Sequence, residues 1–226
     1  MPQSKTLACC STGPELIQIT AMPPSVQIRA YQPTDLEHLY QICLQTMDYG
    51  RDATRLYADG RLPGLFYVAP YVTCDPGLCL VACLDQKPCG YVLGTNDSRA
   101  FENWCEANWF PPLRTRYPIP PVADSSADAK LIRLIHRGYR FEADLEAYPG
   151  HLHIDLLPCI QRQGVGTKLI KEFAALLAER DCPAFHLGVN LANPGACRFY
   201  ESIGLRLIRQ TATARTYGQM LPGEVR

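Results

Sequence analysis

Seven residues, Gln161-Arg162-Gln163-Gly164-Val165-Gly166-Thr167, constrain the fold of this chain more than any others. They join His151 to Leu157, which alternates like a strand, to Gly166 to Arg180, which has helical spacing. Two glycines shortly after a strand end permit a tight turn, and the first amides of the following helix have no internal acceptors. Those amides and the positive end of the helix dipole together suit a phosphate or diphosphate, with little need for side-chain charge.

The flanking segments show what the turn connects. Period two places His151, His153 and Asp155 on one face of the strand and Leu152, Ile154 and Leu156 on the other. One face is therefore core and the other meets something polar. The helix carries Leu169, Ile170, Phe173, Leu176 and Leu177 on one stripe and ends at Cys182-Pro183. Ala184 to Asn190 reads as the next strand, parallel to the first because a strand-helix-strand unit returns in the same direction. Asn193-Pro194 opens a further helix with Ala196, Phe199, Tyr200 and Ile203 as its apolar stripe and Gly204 at its end. Leu205 to Gln210 and Ala212 to Met220 complete the pattern as two strands.

Upstream, Met1 to Pro24 is proline-bearing and without period, a mobile lead-in to a single domain over 25–226. Val26 to Tyr31 predicts a strand, and Leu36, Leu39, Tyr40, Cys43, Leu44 and Met47 an amphipathic helix. Asp48-Tyr49-Gly50-Arg51-Asp52 then serves either as a solvated connection or as a substrate-contacting loop. A short helix is expected over Ala53 to Ala58 and irregular chain from Pro63-Gly64 to Pro76-Gly77. Leu78 to Leu84 and Cys89 to Thr95 predict an antiparallel hairpin. Ser98 to Tyr117 reads as a helix broken at Pro111-Pro112, packed to the body through Trp104 and Trp109. After a proline-rich loop, Leu131, Leu134 and Ile135 mark a short helix, so a long helical insertion precedes the strand at His151 and forms a lid or one side of a cleft.

Composition removes several function classes. Lys plus Arg and Asp plus Glu number 22 each in 226 residues, and zero net charge argues against nucleic acid or an anionic membrane as partner. The 11 cysteines are odd in number, in a chain long enough to bury a core and starting without an apolar signal segment, so reduced thiols in the cytoplasm or nucleus are expected. Cys74, Cys79 and Cys83 lack knuckle spacing, and no metal site is expected. No run of 18 apolar residues is present, hence no membrane span.

A dinucleotide fold is disfavoured by the late glycine turn and the antiparallel hairpin before it, and the turn lacks the lysine of a Walker loop. Gln161, Gly164 and Gly166, the lead-in Leu156-Leu157-Pro158 and the segment Asn193 to Leu205 with Phe199-Tyr200 and Gly204 instead resemble the GNAT superfamily of acetyl-coenzyme A dependent N-acetyltransferases. Ile42 to Tyr57, the aromatic insertion and His151 to Leu157 are also similar to the acetyltransferase-like domain of O-GlcNAcase and its bacterial relatives. The resemblance implies an α/β (α+β) fold, a mixed central sheet flanked by helices, with the helical insertion between the hairpin and the fourth strand. It implies acetyl-CoA as cofactor, its diphosphate on the amides from Arg162 through Gln163, Gly164, Val165 and Gly166 to Thr167, and its pantetheine arm beside Leu156 and Leu157, one of whose amides polarises the thioester carbonyl.

Transfer of acetyl to a primary amine needs a base and an acid. Asp155, on the polar face, is the first candidate base, unless it bonds backbone or a histidine; His153, about 7 Å away along the strand, is the second, and His151 reads as a solvated strand end. Tyr200 matches the family's thiolate-protonating tyrosine, although the apolar stripe offers it a packing role instead. Asn193 caps its helix and bonds the coenzyme arm, and Asp48, Tyr49, Arg51 and Asp52 are candidates for acceptor contacts. The expected acceptor is a protein lysine, a polyamine or an amino sugar, self-association as a homodimer is left open, and the competing reading is a non-catalytic module that keeps coenzyme A binding.

Overall fold

The computed structural model describes residues 25–221, so the lead-in expected over 1–24 lies outside the described residues. Seven strands form one mixed sheet in the order β1-β2-β3-β4-β5-β7-β6. They span Val26–Ala30, Cys79–Leu84, Lys87–Thr95, Gly150–Leu156, Ala184–Asn190, Arg206–Gln210 and Ala214–Met220 as β1 to β7. Only β4 and β5 run parallel, and they pair at just two positions, Gly150 with Phe185 and His151 with His186. Beyond His151 the two strands part. Meanwhile β5 is fully paired to β7 on its other side, from Ala184 to Asn190.

The helices α1 to α8 span Leu36–Leu44, Leu62–Tyr67, Ala69–Cys74, Ser98–Trp104, Phe110–Arg116, Ala127–Arg137, Val165–Ala178 and Pro194–Ser202. They divide the apolar residues into two cores, one on each face of the sheet. On one face α7 buries Leu169, Ile170, Phe173 and Leu177 against Leu152, Phe185 and Tyr217. On the other, α1 to α6 pack Leu39, Phe66, Tyr71, Phe101 and Phe110 against Val81, Tyr91 and Leu93. The predicted hairpin is present, and its turn, Asp85-Gln86, has both central residues at positive φ (49° and 66°), the geometry that matches strand twist.

The structure corrects three expectations. No helix forms over Ala53 to Ala58; the amides of Ala58 and Asp59 are instead held by the Asp128 carboxylate of α6, each at 3.0 Å. The stretch expected to be irregular holds α2 and α3, because Pro63 and Pro70 sit in first turns, where a missing N–H costs nothing. Pro111 and Pro112 do not end the helix begun at Ser98. A π-helical segment, Cys105–Trp109, widens the chain ahead of them, and they then fall in the first turn of α5. The tryptophans do pack inward: Trp109 Nε1 donates to the Leu65 carbonyl at 2.9 Å, and Trp104 stacks on Phe101.

The α7 core offers a direct test of packing. Phe173→Ala, at a fully buried position, is expected to destabilise the protein by about 3–5 kcal/mol, and Leu176→Ala by clearly less, as read from denaturant midpoints.

Candidate active site

The glycine turn follows from the ladder of β4. Leu157 N–H donates to the Cys89 carbonyl at 2.8 Å, so that amide is engaged with β3 and is not available to a ligand. Neighbouring residues of an antiparallel ladder point their amides to opposite sides. Leu156 N–H therefore faces the gap where β4 and β5 have parted. Of the two amides expected to meet a carbonyl, only that of Leu156 is placed for it.

After one 3₁₀ turn at Pro158–Ile160, Arg162 and Gly164 take positive φ (58° and 76°) and lead the chain into α7. Two glutamines brace the loop, Gln161 Nε2 on the Leu156 carbonyl at 2.7 Å and Gln163 Nε2 on the Cys159 carbonyl at 2.9 Å. The first amide to find a helical acceptor is that of Lys168, on Gly164 at 3.0 Å. Among the described residues, the amides of Arg162, Gln163, Gly164, Val165, Gly166 and Thr167 have no acceptor. A Cβ at Gly166 would lie 3.0 Å from Phe199 and 3.3 Å from Leu156, so glycine lets this helix start lie close to both without displacing either side chain. Such a row of free donors at the positive end of a 14-residue helix suits an anion.

The polar face of β4 carries three groups in line. Asp155 accepts from the Tyr91 hydroxyl at 2.5 Å; the two residues are register partners across β3 and β4. Burial raises the Asp155 carboxyl above its ordinary value, and the hydroxyls of Tyr91 and Thr46 only partly offset this. Burial, and then the Asp155 charge, raise Tyr200, which keeps its proton. Tyr200 also packs at 5.7 Å from the ring of Tyr217, the packing that the apolar stripe of α8 offered it.

His153 Nε2 lies 3.1 Å from the Tyr71 hydroxyl. Burial, with a contribution from His186, lowers its imidazole to about 4. His151 is not the solvated strand end that its position implied. Its Nε2 is 2.8 Å from the same Tyr71 hydroxyl and its Nδ1 is 2.6 Å from Ser98 Oγ. Burial, reinforced by His153 and His186, holds it well below the usual histidine range.

Asn193 Oδ1 caps α8 through the Ala196 amide at 3.0 Å, and its Nδ2 would touch a side chain placed at Gly50. The Asp48–Asp52 loop thus borders the end of the parted strands. Within it Asp48 and Arg51 pair with each other at 2.9 Å, and Asp52 is used locally by Thr54. Tyr49, at φ 53° and 46% exposed, makes no side-chain hydrogen bond among the described residues. Tyr91, Tyr71, Thr46 and Ser98 were not singled out from sequence. The one available signal was that Tyr91 alternates onto the inner face of the hairpin, and it means nothing until the β3–β4 register is known.

Half-buried, desolvated neutral histidines make the fold acid-sensitive. A folded pKa below the unfolded value of about 6.5 means that the unfolded chain binds more protons, so stability is full above pH 6.5 and falls as pH drops. His153, at about 4, alone accounts for a loss of about 2 kcal/mol between pH 7 and pH 5, and His151 and His186 shift in the same direction. Urea unfolding at the two pH values checks this; an unchanged midpoint would contradict it.

Comparison with known proteins agrees with this geometry. The acetyltransferase (GNAT) family pattern matches residues 136–205, which run from the end of α6 to just past α8. The crystal structure of SsHAT is 37% identical, with 87% of this chain and 98% of that one covered at a TM-score of 0.82. A putative acetyltransferase of Salmonella typhimurium, yncA, solved with acetyl-CoA, shares the fold at 12% identity, covering 89% of this chain and 96% of that one with a TM-score of 0.51. The PaiA N-acetyltransferase of Thermoplasma acidophilum, in complex with coenzyme A, does so at 12% identity, 87% and 99% coverage and a TM-score of 0.51. With its mixed seven-stranded sheet, parted parallel strands and glycine-turn helix, this chain belongs to the acetyltransferase (GNAT) family.

Proposed function

We propose that this protein binds acetyl-coenzyme A and transfers its acetyl group directly to a primary amine, of a polyamine, an amino sugar or a protein lysine. One observation carries the reading: the free amides from Arg162 to Thr167 open beside the gap into which Leu156 N–H points. The fit to the coenzyme is chemical. A diphosphate needs several convergent donors and little fixed charge, and an extended arm needs an unpaired strand edge. Both are present, and yncA and PaiA of the same fold were solved with acetyl-CoA and coenzyme A.

When bound, acetyl-coenzyme A supplies a thioester that a neutral amine can attack. The residues of the chain then have separable tasks. The Arg162–Thr167 amides hold the diphosphate, and Leu156 N–H donates to the carbonyl oxygen as negative charge grows there. Asp155 takes the amine proton, directly or through water; its raised carboxyl is a stronger base than an exposed one. Tyr200 keeps its proton at ordinary pH and donates it to the departing sulfur. Asn193, which lies against Gly50, bonds the coenzyme arm, and Tyr49 of the adjoining loop contacts the acceptor.

Release of free coenzyme from acetyl-coenzyme A across a panel of polyamines, amino sugars and lysine peptides tests this. Asp155→Asn and Tyr200→Phe should each lower the amine-dependent rate by about 10²- to 10⁴-fold while calorimetric binding of coenzyme A persists. Binding without amine-dependent release by the wild type, across the whole panel, would leave a coenzyme-binding module instead.

A further inference from the structure

We infer that Tyr71, His151 and Ser98 are positioning residues that lock His153 in the tautomer carrying its proton on Nε2, leaving Nδ1 as a bare acceptor beside Asp155. The inference rests on the acetyl-transfer reading for the use of that acceptor, but the tautomer itself follows from counting protons.

Ser98 Oγ has one proton and two partners at 2.6 Å, the Pro149 carbonyl and His151 Nδ1. A carbonyl only accepts, so the serine proton goes to Pro149 and His151 Nδ1–H must donate to Ser98. His151 is enclosed by Tyr71, Phe101, His153 and His186 and is neutral there, so its Nε2 carries a lone pair. The Tyr71 hydroxyl gives its single proton to that nitrogen at 2.8 Å. Tyr139, the next hydroxyl in this cluster, spends its own proton on the Phe66 carbonyl. Tyr71 therefore has nothing left to donate, and His153 Nε2–H donates to it at 3.1 Å.

The chain of bonds runs one way, from His153 through Tyr71, His151 and Ser98 to a carbonyl. A carbonyl cannot pass a proton on, so this is not an exit route for the proton of the reaction. Its effect is to fix the ring of His153 and the nitrogen that it presents. Nδ1 of His153 takes no partner from the described residues, and the ring stands on the strand face that carries Asp155. A bare imidazole nitrogen there accepts the second N–H of an amine whose first proton goes to Asp155, which aligns the nitrogen lone pair for attack.

Long-range ¹H–¹⁵N spectra of histidine-labelled protein without ligand test the assignment, with His153→Asn identifying the signal. The wild type should show His153 with Nε2 protonated and Nδ1 bare. Tyr71→Phe should give a mixture of tautomers and lower kcat by at least about tenfold, with KM for acetyl-coenzyme A unchanged. Ser98→Ala, a smaller change should Tyr71→Phe fail to fold, should disturb the same signal, and Ser98→Thr should restore it. A wild-type His153 protonated on Nδ1, or a signal indifferent to both Tyr71→Phe and Ser98→Ala, would overturn the inference. Failure of the acetyl-transfer reading shows separately, as absent amine-dependent release by a wild type whose His153 spectrum is unchanged.

Discussion

Two register positions hold β4 to β5, and the rest of the structure depends on how quickly that pairing gives way. If the parallel ladder continued, Leu156 N–H would be spent on β5 and no unpaired edge would exist. Because β5 is fully paired to β7 on its far side and β4 to β3 on its own, the strands part without leaving either isolated. The opening is thus stabilised by the two flanking antiparallel ladders. It needs no local strain.

The same strand links two chemistries through its two faces. Leu152 belongs to the α7 core, with Ile154 and Leu156 packed against it, so the amides of the glycine turn are carried on a helix anchored in a packed core. His151, His153 and Asp155 face the second core, where hydroxyls of α3, β3 and α4 supply their partners. Rigidity on one side and a satisfied polar network on the other are what a preorganised site requires. The insertion, expected as a lid or one side of a cleft, builds the wall of that second core, since Phe101, Phe110, Leu131 and Ile135 are all buried in it.

From His151 onward the chain was legible because each signal was local. Period two, the glycine turn, the α7 stripe and the Asn193-Pro194 cap lie within a few residues of what they determine. Between Ala53 and Tyr117 proline misleads when read as a breaker, since Pro63 and Pro111 both occupy first turns. The burial of His151 was invisible for a different reason. Its partners Ser98 and Tyr71 lie 53 and 80 residues away, and no periodicity reports a contact at that separation. Asp155 was found from its strand face, but its partner Tyr91 needs the register of a pair 64 residues apart. Which of the Leu156 and Leu157 amides is free likewise depends on which one β3 has taken.

The central claim is that the parted strands and the glycine turn form one continuous site for acetyl-coenzyme A. A crystal structure with coenzyme A bound tests it most directly. The account predicts the diphosphate on the amides from Arg162 to Thr167, with the arm entering the gap along β4 so that its thiol end lies near Leu156, between Asp155 and Tyr200. A diphosphate bound elsewhere, or an arm that follows the surface while the gap stays closed, would contradict it.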